Sequence, residues 1–145
     1  MVKEGEIMPN TPPETESILL NMKKLLNIPS DYTAFDTDII THINSYIAVL
    51  RSLGIGKKGV RVTDASTTWT DLLGTLESRT AAAEDHADTL DEVPSWMSIK
   101  LRLIFDPPVN SFVVTELQEL AKELEFHLYI AGEYMRVKAP NYWEV

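Results

Sequence analysis

The sequence predicts an all-α fold: a single domain of about four helices, with a long polar loop and an extended C-terminal tail. Apolar residues recur at helical spacing over residues 36–53 and again over residues 111–131, which gives each segment one apolar face. A third observation fixes where the second of these helices begins. Asp106-Pro107-Pro108 forms a structural corner, because two prolines remove backbone donors and fix φ, so a preceding element must end at Phe105.

The first helix is predicted to begin at Thr11-Pro12-Pro13-Glu14 and to end near Asn27. Thr11 can cap the helix, the prolines occupy first-turn positions that need no backbone donor, and Glu14 can complete a capping box. The expected division of the chain is a flexible N-terminal segment (1–10), a helical domain (11–131) and a C-terminal tail (132–145).

The second helix has the clearest pattern in the chain, and Gly54 is expected to end it. Its apolar face consists of Ile39, Ile40, Ile43, Tyr46, Ile47, Leu50 and Leu53. Residues 54–66 are predicted to form a loop with a short extended piece at 60–63, followed by a single helical turn over 69–73. Residues 75–94 are acidic and contain few large apolar side chains, which favours a solvated loop or a weak helix.

Residues 97–103 alternate apolar and polar side chains, a pattern typical of a strand, but their composition also suits a helix. The last helix follows the corner, with Asn110 or Ser111 as its cap.

Several segments together resemble the head-tail connector (adaptor, or head-completion) family of long-tailed bacteriophages. The apolar segment ending in Phe105-Asp106-Pro107-Pro108, followed by a helix that opens at Ser111-Phe112, is similar to that family. Residues 18–26, 35–44 and 69–74 resemble its N-terminal half in the same order, so the resemblance covers residues 16–131. The family is helical at 95–105, which favours helix there. Residues 75–94 depart from it by being longer and more polar.

The resemblance implies a structural virion protein without enzymatic activity or cofactor. Such a protein forms a homo-oligomeric ring, a dodecamer in the virion, beneath the portal protein. The ring extends the DNA channel and provides the platform for the next head-completion or tail protein, while DNA passes through without specific binding. Assembly in the host bacterial cytoplasm is implied. The alternative from another functional class is a helical regulatory or nucleic-acid-associated adaptor.

Composition agrees with these expectations. The formal net charge of −9 disfavours tight binding to phosphate backbones, which normally requires a basic face. The chain has no cysteine, no apolar run long enough to span a membrane and no signal-peptide pattern at its start, so a soluble, unexported protein is expected. Neither the three histidines nor Gly54–Gly59 matches a metal or phosphate-loop spacing, so no catalytic or metal site is predicted.

Three sets of residues are candidates for assembly contacts, each with a plainer alternative. Lys57, Lys58 and Arg61 are predicted to meet Glu84, Asp85 and Asp88 across subunits, because a head-to-tail ring needs two complementary surfaces on each copy. Glu116, Glu119 and Glu123 form an acidic stripe that faces the channel, faces cations on a neighbouring subunit, or is simply solvated. Tyr142 and Trp143 either bind the portal, as terminal segments do in the family, or belong to a disordered end.

Overall fold

The computed structural model describes residues 12–144. Within this range the fold is all-α, as predicted, and its only β feature is an isolated bridge between Ser17 and Thr68. The α-helices are α1 (Ile18–Leu25), α2 (Asp36–Ser52), α3 (Trp69–Leu73), α4 (Leu76–Ala83), α5 (Ala87–Leu90), α6 (Val93–Phe105) and α7 (Ser111–Lys138). Short 3₁₀ helices cover Glu84–His86 and Tyr142–Glu144.

Helix α1 begins later than the sequence predicted. Thr11 lies outside the described residues, and the segment from Pro12 forms turns rather than helix. The cap is Ser17, whose hydroxyl accepts a hydrogen bond from the N–H of Leu20 at 3.2 Å. Hydrogen bonds from the segment before α1 to the segment before α3 hold Ser17 in an extended conformation, so the helix cannot begin earlier.

Helices α2 and α3 lie where they were predicted. The apolar face of α2 is buried, and Gly54 follows the helix with a φ of +88°, a conformation that glycine adopts without strain. Thr68 and Asp71 form a reciprocal capping box at the start of α3. The loop between the helices contains no strand. Residues 60–63, where a short extended piece was expected, have irregular backbone.

Of the two alternatives expected for residues 75–94, the solvated loop is wrong and the weak helix is correct, because the segment forms α4, a 3₁₀ turn and α5. Thr75 caps α4 by accepting a hydrogen bond from the N–H of Ser78 at 3.1 Å. Although the segment has few large apolar residues, Ala83, Leu90 and Val93 are fully buried. Helices α4 and α5 pack against α7, and this tertiary contact stabilises a helix that its own sequence only weakly favours.

The corner and the helices on either side of it match the prediction. Helix α6 ends at Phe105, just before Asp106-Pro107-Pro108, and the Asn110 side chain caps α7 by accepting a hydrogen bond from the N–H of Phe112 at 2.8 Å. Trp96 and Met97 are both fully buried although they are adjacent, which a helix in the centre of a bundle permits and a half-exposed strand does not. The helical interpretation of residues 95–105 is therefore confirmed.

The extended tail predicted from Gly132 onward is wrong, because α7 continues to Lys138. Gly132 does not interrupt the helix; it permits a close approach. A Cβ atom at this position would lie 2.0 Å from the carbonyl oxygen of Leu53, so only glycine fits between α7 and the end of α2. Ala131 and Met135 extend the buried face on either side of it.

Helix α6 lies at the centre of the bundle. Helices α1 and α2 pack against it and against each other, and α7 packs against it while also contacting α4 and α5. The indole N–H of Trp96 donates a hydrogen bond to Glu125 on α7 at 2.8 Å, which satisfies the one polar atom of this buried side chain. None of the helices in residues 12–144 is both long and apolar enough to cross a bilayer.

Candidate assembly surfaces

The three basic residues of the 54–61 loop differ in their availability to a partner. Lys57 is engaged within the chain: its Nζ donates a hydrogen bond to the carbonyl of Tyr142 at 3.3 Å and lies 4.6 Å from the centre of that ring. Lys58 is exposed, with its Nζ 3.6 Å from Glu144, and Arg61 is exposed as well. Lys58 and Arg61 are therefore the two members of the set that face solvent.

The acidic residues predicted to pair with this basic set also differ in their availability to a partner. Glu84 accepts a hydrogen bond from the hydroxyl of Tyr134, and this bond raises the pKa of Tyr134, with further contributions from burial and from the charges of Glu84 and Asp85. Asp85 and Asp88 are exposed. No ion pair joins the basic and acidic sets within residues 12–144, which leaves Asp85 and Asp88 to solvent or to another molecule.

The acidic stripe lies on the N-terminal half of α7, where Glu123 stands between the buried Ala121 and Leu124. Glu116, Glu119 and Glu123 are all exposed, and no residue from 111 to 120 is buried. The stripe has weak internal partners: Glu119 lies 3.5 Å from Lys122, and Glu123 lies 4.0 Å from a ring nitrogen of His127. Because these contacts are long and solvated, the stripe keeps most of its negative potential.

The C-terminal aromatic residues pack against their own chain. The hydroxyl of Tyr142 donates a hydrogen bond to the carbonyl of Leu73 at 2.9 Å and lies 2.9 Å from the hydroxyl of Ser78. Gly74 makes room for it, since a Cβ there would overlap the Tyr142 oxygen. Trp143 stacks edge-on against Tyr142, and its carbonyl accepts a hydrogen bond from the N–H of Lys58 at 2.9 Å. Both rings are half-buried rather than free.

A cavity of about 240 Å³ lies beside this C-terminal segment. Three cations line it, but each has partners within the chain. Arg51 donates to the carbonyls of Lys57 and Val60, Arg136 donates to Glu133 at 2.7 Å, and Lys58 pairs with Glu144. The cavity therefore contributes to the packing of the C-terminal segment, and the Nε of Arg51 and the indole nitrogen of Trp143 are buried beside it without a hydrogen-bond partner.

Two exposed apolar surfaces were not predicted from the sequence. One lies on α7, on the side away from the core, and we call it the outer stripe: Phe126, Tyr129, Ile130 and Val137. The other lies at the end of α1 and in the loop before α2, and we call it the aromatic patch: Leu25, Tyr32 and Phe35. A second set of apolar residues at spacings of three, four and seven on the polar side of α7 was the signal for the outer stripe.

Residues 12–144 contain no group of three or more histidine or acidic side chains placed to hold a metal ion. The closest approach of a histidine to an acidic side chain is that of His127 to Glu92, at 3.3 Å on the surface. Single contacts of this kind are typical of surface hydrogen bonding.

A family model described as phage connector protein matches residues 18–135, from the first residue of α1 to the last buried residue of α7. The chain belongs to the phage connector protein family. Comparisons with curated proteins and with solved structures gave no significant match. Family membership supports a structural role at the head–tail junction, a location in the virion, and contacts with other head or tail proteins. The matched range includes residues 75–94, the segment expected to depart from the family.

Proposed function

We propose that this connector protein assembles as a dodecameric ring beneath the portal protein, extends the DNA channel and supports the next head-completion or tail protein. The observation that carries the proposal is the family match across the whole helical bundle, residues 18–135. Assembly takes place in the host bacterial cytoplasm, and the role is mechanical. The protein provides a rigid, all-α ring element whose surfaces are specific for neighbouring proteins.

The N-terminal half of α7 is the proposed channel-facing element. It carries Glu116, Glu119 and Glu123 in exposed positions, where negative charge repels the phosphates of passing DNA and prevents it from binding. The formal net charge of −9 acts in the same direction. DNA therefore passes through the ring without specific contacts.

The proposed contacts between subunits include pairing of basic residues on one copy with acidic residues on the next. Lys58 and Arg61, the exposed members of the basic loop, face Asp85 and Asp88 of the adjacent copy. A ring of copies that each carry excess negative charge repels itself, so pairing cations with carboxylates across the joint reduces that repulsion.

The C-terminal 3₁₀ turn is the proposed contact with the portal. Tyr142 and Trp143 are held by hydrogen bonds to the bundle and retain partial exposure, so they present a preformed aromatic surface. Preformed aromatic surfaces bind with a small loss of conformational entropy. Trp143→Ala tests this contact more directly than deletion of the segment, because it leaves the Tyr142 hydrogen bonds in place.

The decisive experiment combines the purified protein with the portal ring of the same phage. Size-exclusion chromatography with light scattering gives the stoichiometry, and electron microscopy shows the arrangement. We expect a discrete ring coaxial with the portal. The absence of a complex between folded components would contradict the proposal, and tight, salt-sensitive DNA binding by the monomer would favour a nucleic-acid-associated adaptor instead.

Charge reversal tests the proposed electrostatic pair. Lys58→Glu with Arg61→Glu should weaken ring formation, and adding Asp85→Lys with Asp88→Lys should restore it. Arg102→Glu with Lys122→Glu changes the charge by the same amount at other exposed positions and serves as the matched control.

A further inference from the structure

The outer stripe of α7 is an apolar surface without a role in the fold of its own chain. Its four residues are 39% to 69% exposed and lie within twelve positions on the side of α7 opposite the core. The buried face, which includes Leu124, Leu128 and Met135, already secures the helix to the bundle. Adjacent large apolar side chains in solvent are characteristic of a surface that another protein covers.

The aromatic patch is the second such surface, and it is held rigid from beneath. Its residues are 46% to 49% exposed, and the rings of Tyr32 and Phe35 pack edge to face with centroids 5.7 Å apart. The loop that carries them is fixed by Lys23, which is 1% exposed. Its ammonium group donates to the carbonyls of Ser30 and Tyr32 at 3.1 and 2.7 Å.

This rigidity matters for binding. A loop that is already ordered loses little conformational entropy when it docks, and exposed tyrosine and phenylalanine side chains are effective interface anchors. The aromatic patch therefore has the composition and the order of a binding surface rather than of a flexible connection.

The two surfaces lie on different parts of the bundle. The aromatic patch belongs to α1 and the start of α2, which pack together on α6, whereas the outer stripe is on the exposed side of α7. A surface on each of two sides is what a head-to-tail contact requires, because one copy then presents the first surface while its neighbour presents the second.

The charges around the two surfaces are complementary. Arg136 and Lys138 are exposed at the C-terminal end of the outer stripe, and Arg136 is already paired with Glu133 of the same helix at 2.7 Å, so Lys138 supplies the uncompensated positive charge. Asp31 and Asp38 are exposed on either side of the aromatic patch. Opposite charges at the edge of an apolar contact select one orientation of docking and disfavour contact between two identical surfaces.

We infer that the outer stripe of one copy packs on the aromatic patch of the next copy, as the apolar joint of a head-to-tail ring. This inference rests on the proposed ring and names the surfaces that form it. The basic end of α7 then lies against Asp31 and Asp38 of the neighbour, and Lys23 acts as a positioning residue that holds the aromatic patch in its binding conformation.

The natural absence of cysteine makes the joint directly testable. In a chain carrying both Phe35→Cys and Tyr129→Cys, the proposed joint places the thiol at position 35 of one copy beside the thiol at position 129 of the next copy. A disulfide forms between the two only when their Cα atoms are within about 7 Å. Mild oxidation of the protein assembled on the portal should produce a ladder of covalent oligomers on a non-reducing gel. Each single variant should remain monomeric on that gel, and Phe35→Cys combined with Glu77→Cys is the matched control.

The outcomes separate this inference from the proposed ring. A ladder from the double variant alone supports the joint. Dimers from Tyr129→Cys alone would show that the outer stripe meets its own copy and would overturn the inference. Rings seen by electron microscopy without a ladder, in the double variant and in a second one carrying Tyr32→Cys and Ile130→Cys, would overturn the joint and leave the ring intact. Absence of rings in the wild-type protein would overturn both.

A charge exchange gives a test without cysteine chemistry. Asp31→Lys with Asp38→Lys should reduce ring formation at low salt at least several-fold, as should Arg136→Glu with Lys138→Glu. The four changes in one chain should recover most of the loss, because the complementary pairs are restored with their signs exchanged. Failure of the combined variant to recover, with its circular dichroism unchanged, would contradict the assigned orientation.

Discussion

Replacement of Lys23 by methionine should destabilise the protein strongly, because Lys23 is a buried charged residue that holds α1, the following loop and the start of α2 together. The Lys23 side chain is 1% exposed, and its ammonium group lies 2.8 Å from Asp36 Oδ1 in an ion pair that lacks the alignment of a hydrogen bond. It also donates hydrogen bonds to two loop carbonyls. Methionine keeps the apolar stem and removes the charge and all three contacts.

The size of the expected loss in the free energy of unfolding depends on Asp36, the charged group that loses its partner. Removing one partner of a buried ion pair typically costs about 3–5 kcal/mol, because the remaining charge is uncompensated. The side chain of Asp36 is 25% exposed, so water partly solvates it after the change, and the two carbonyls can also hydrate. We therefore expect a loss near the lower end of that range, about 3 kcal/mol in the free energy of unfolding. For a chain of this length the melting temperature should fall by roughly 6–12 °C.

Urea denaturation followed by far-UV circular dichroism measures this loss. Lys24→Met is the matched control, since Lys24 is the adjacent residue of α1 and is exposed; its effect should stay within about 0.5 kcal/mol. A loss below about 1 kcal/mol for Lys23→Met would refute the reasoning, because it would mean that the ammonium group gains no more from its partners than it loses on desolvation.

Three further outcomes are expected. Gly132→Ala should cost about 2–3 kcal/mol in urea denaturation, because its Cβ would lie 2.0 Å from the backbone oxygen of Leu53 and the helix must shift. Tyr142→Phe should cost about 1 kcal/mol and increase proteolysis after residue 138, because the hydroxyl loses its two contacts. Ser66→Ala should raise the pKa of Asp64 in an NMR titration, because the Ser66 hydroxyl and then its backbone N–H lower that pKa in the native protein. The lowered pKa stabilises the fold above the unfolded value and loses its effect as the pH falls through the folded one.

Each of these predictions has a control. Gly59→Ala meets no atom within 4 Å and should cost only the strain of its positive φ, about 1 kcal/mol. Tyr129→Phe removes a hydroxyl from an exposed ring and should leave the unfolding free energy unchanged. An unchanged Asp64 pKa in Ser66→Ala would show that the native hydrogen bonds do not stabilise the carboxylate. Equal losses for Gly132→Ala and Gly59→Ala would contradict the close approach of α7 to α2.

The parts of the fold that were predictable are those whose signal is local. The apolar face of α2 and the Asp106-Pro107-Pro108 corner follow from residues near in sequence, so their positions were predicted correctly. The resemblance to the connector family favoured a helix for the residues of α6, where periodicity alone also allowed a strand. The all-α class and the family both follow from such local segments.

The parts that were missed depend on contacts between distant segments. Gly132 is a helix breaker by propensity, and only its approach to Leu53, far away in sequence, shows why the helix continues through it. For residues 75–94 the sequence left a loop and a weak helix open, and α4 and α5 form because α7 covers Ala83 and Leu90. The buried position of Lys23 likewise depends on a loop that folds back over α1, and no local pattern marks it.

The candidate site was predicted only in part. The sequence identifies charged sets and aromatic residues, but it does not show that Lys57 and Glu84 are engaged within the chain while Lys58 and Asp85 face solvent. It also assigns apolar residues to the core by default, which conceals the outer stripe. Surfaces of this kind become visible only when the core is known to be complete without them.

The continuity of α7 has a mechanical consequence. This helix of 28 residues is about 42 Å long; its buried residues run from Ala121 to Met135, and none of residues 111–120 is buried. In the proposed ring, a load that passing DNA applies to the first ten residues of α7 would be transmitted along the helix to the part that packs in the bundle. Because α7 leads into the C-terminal 3₁₀ turn, that load would reach the proposed portal contact without any change of fold.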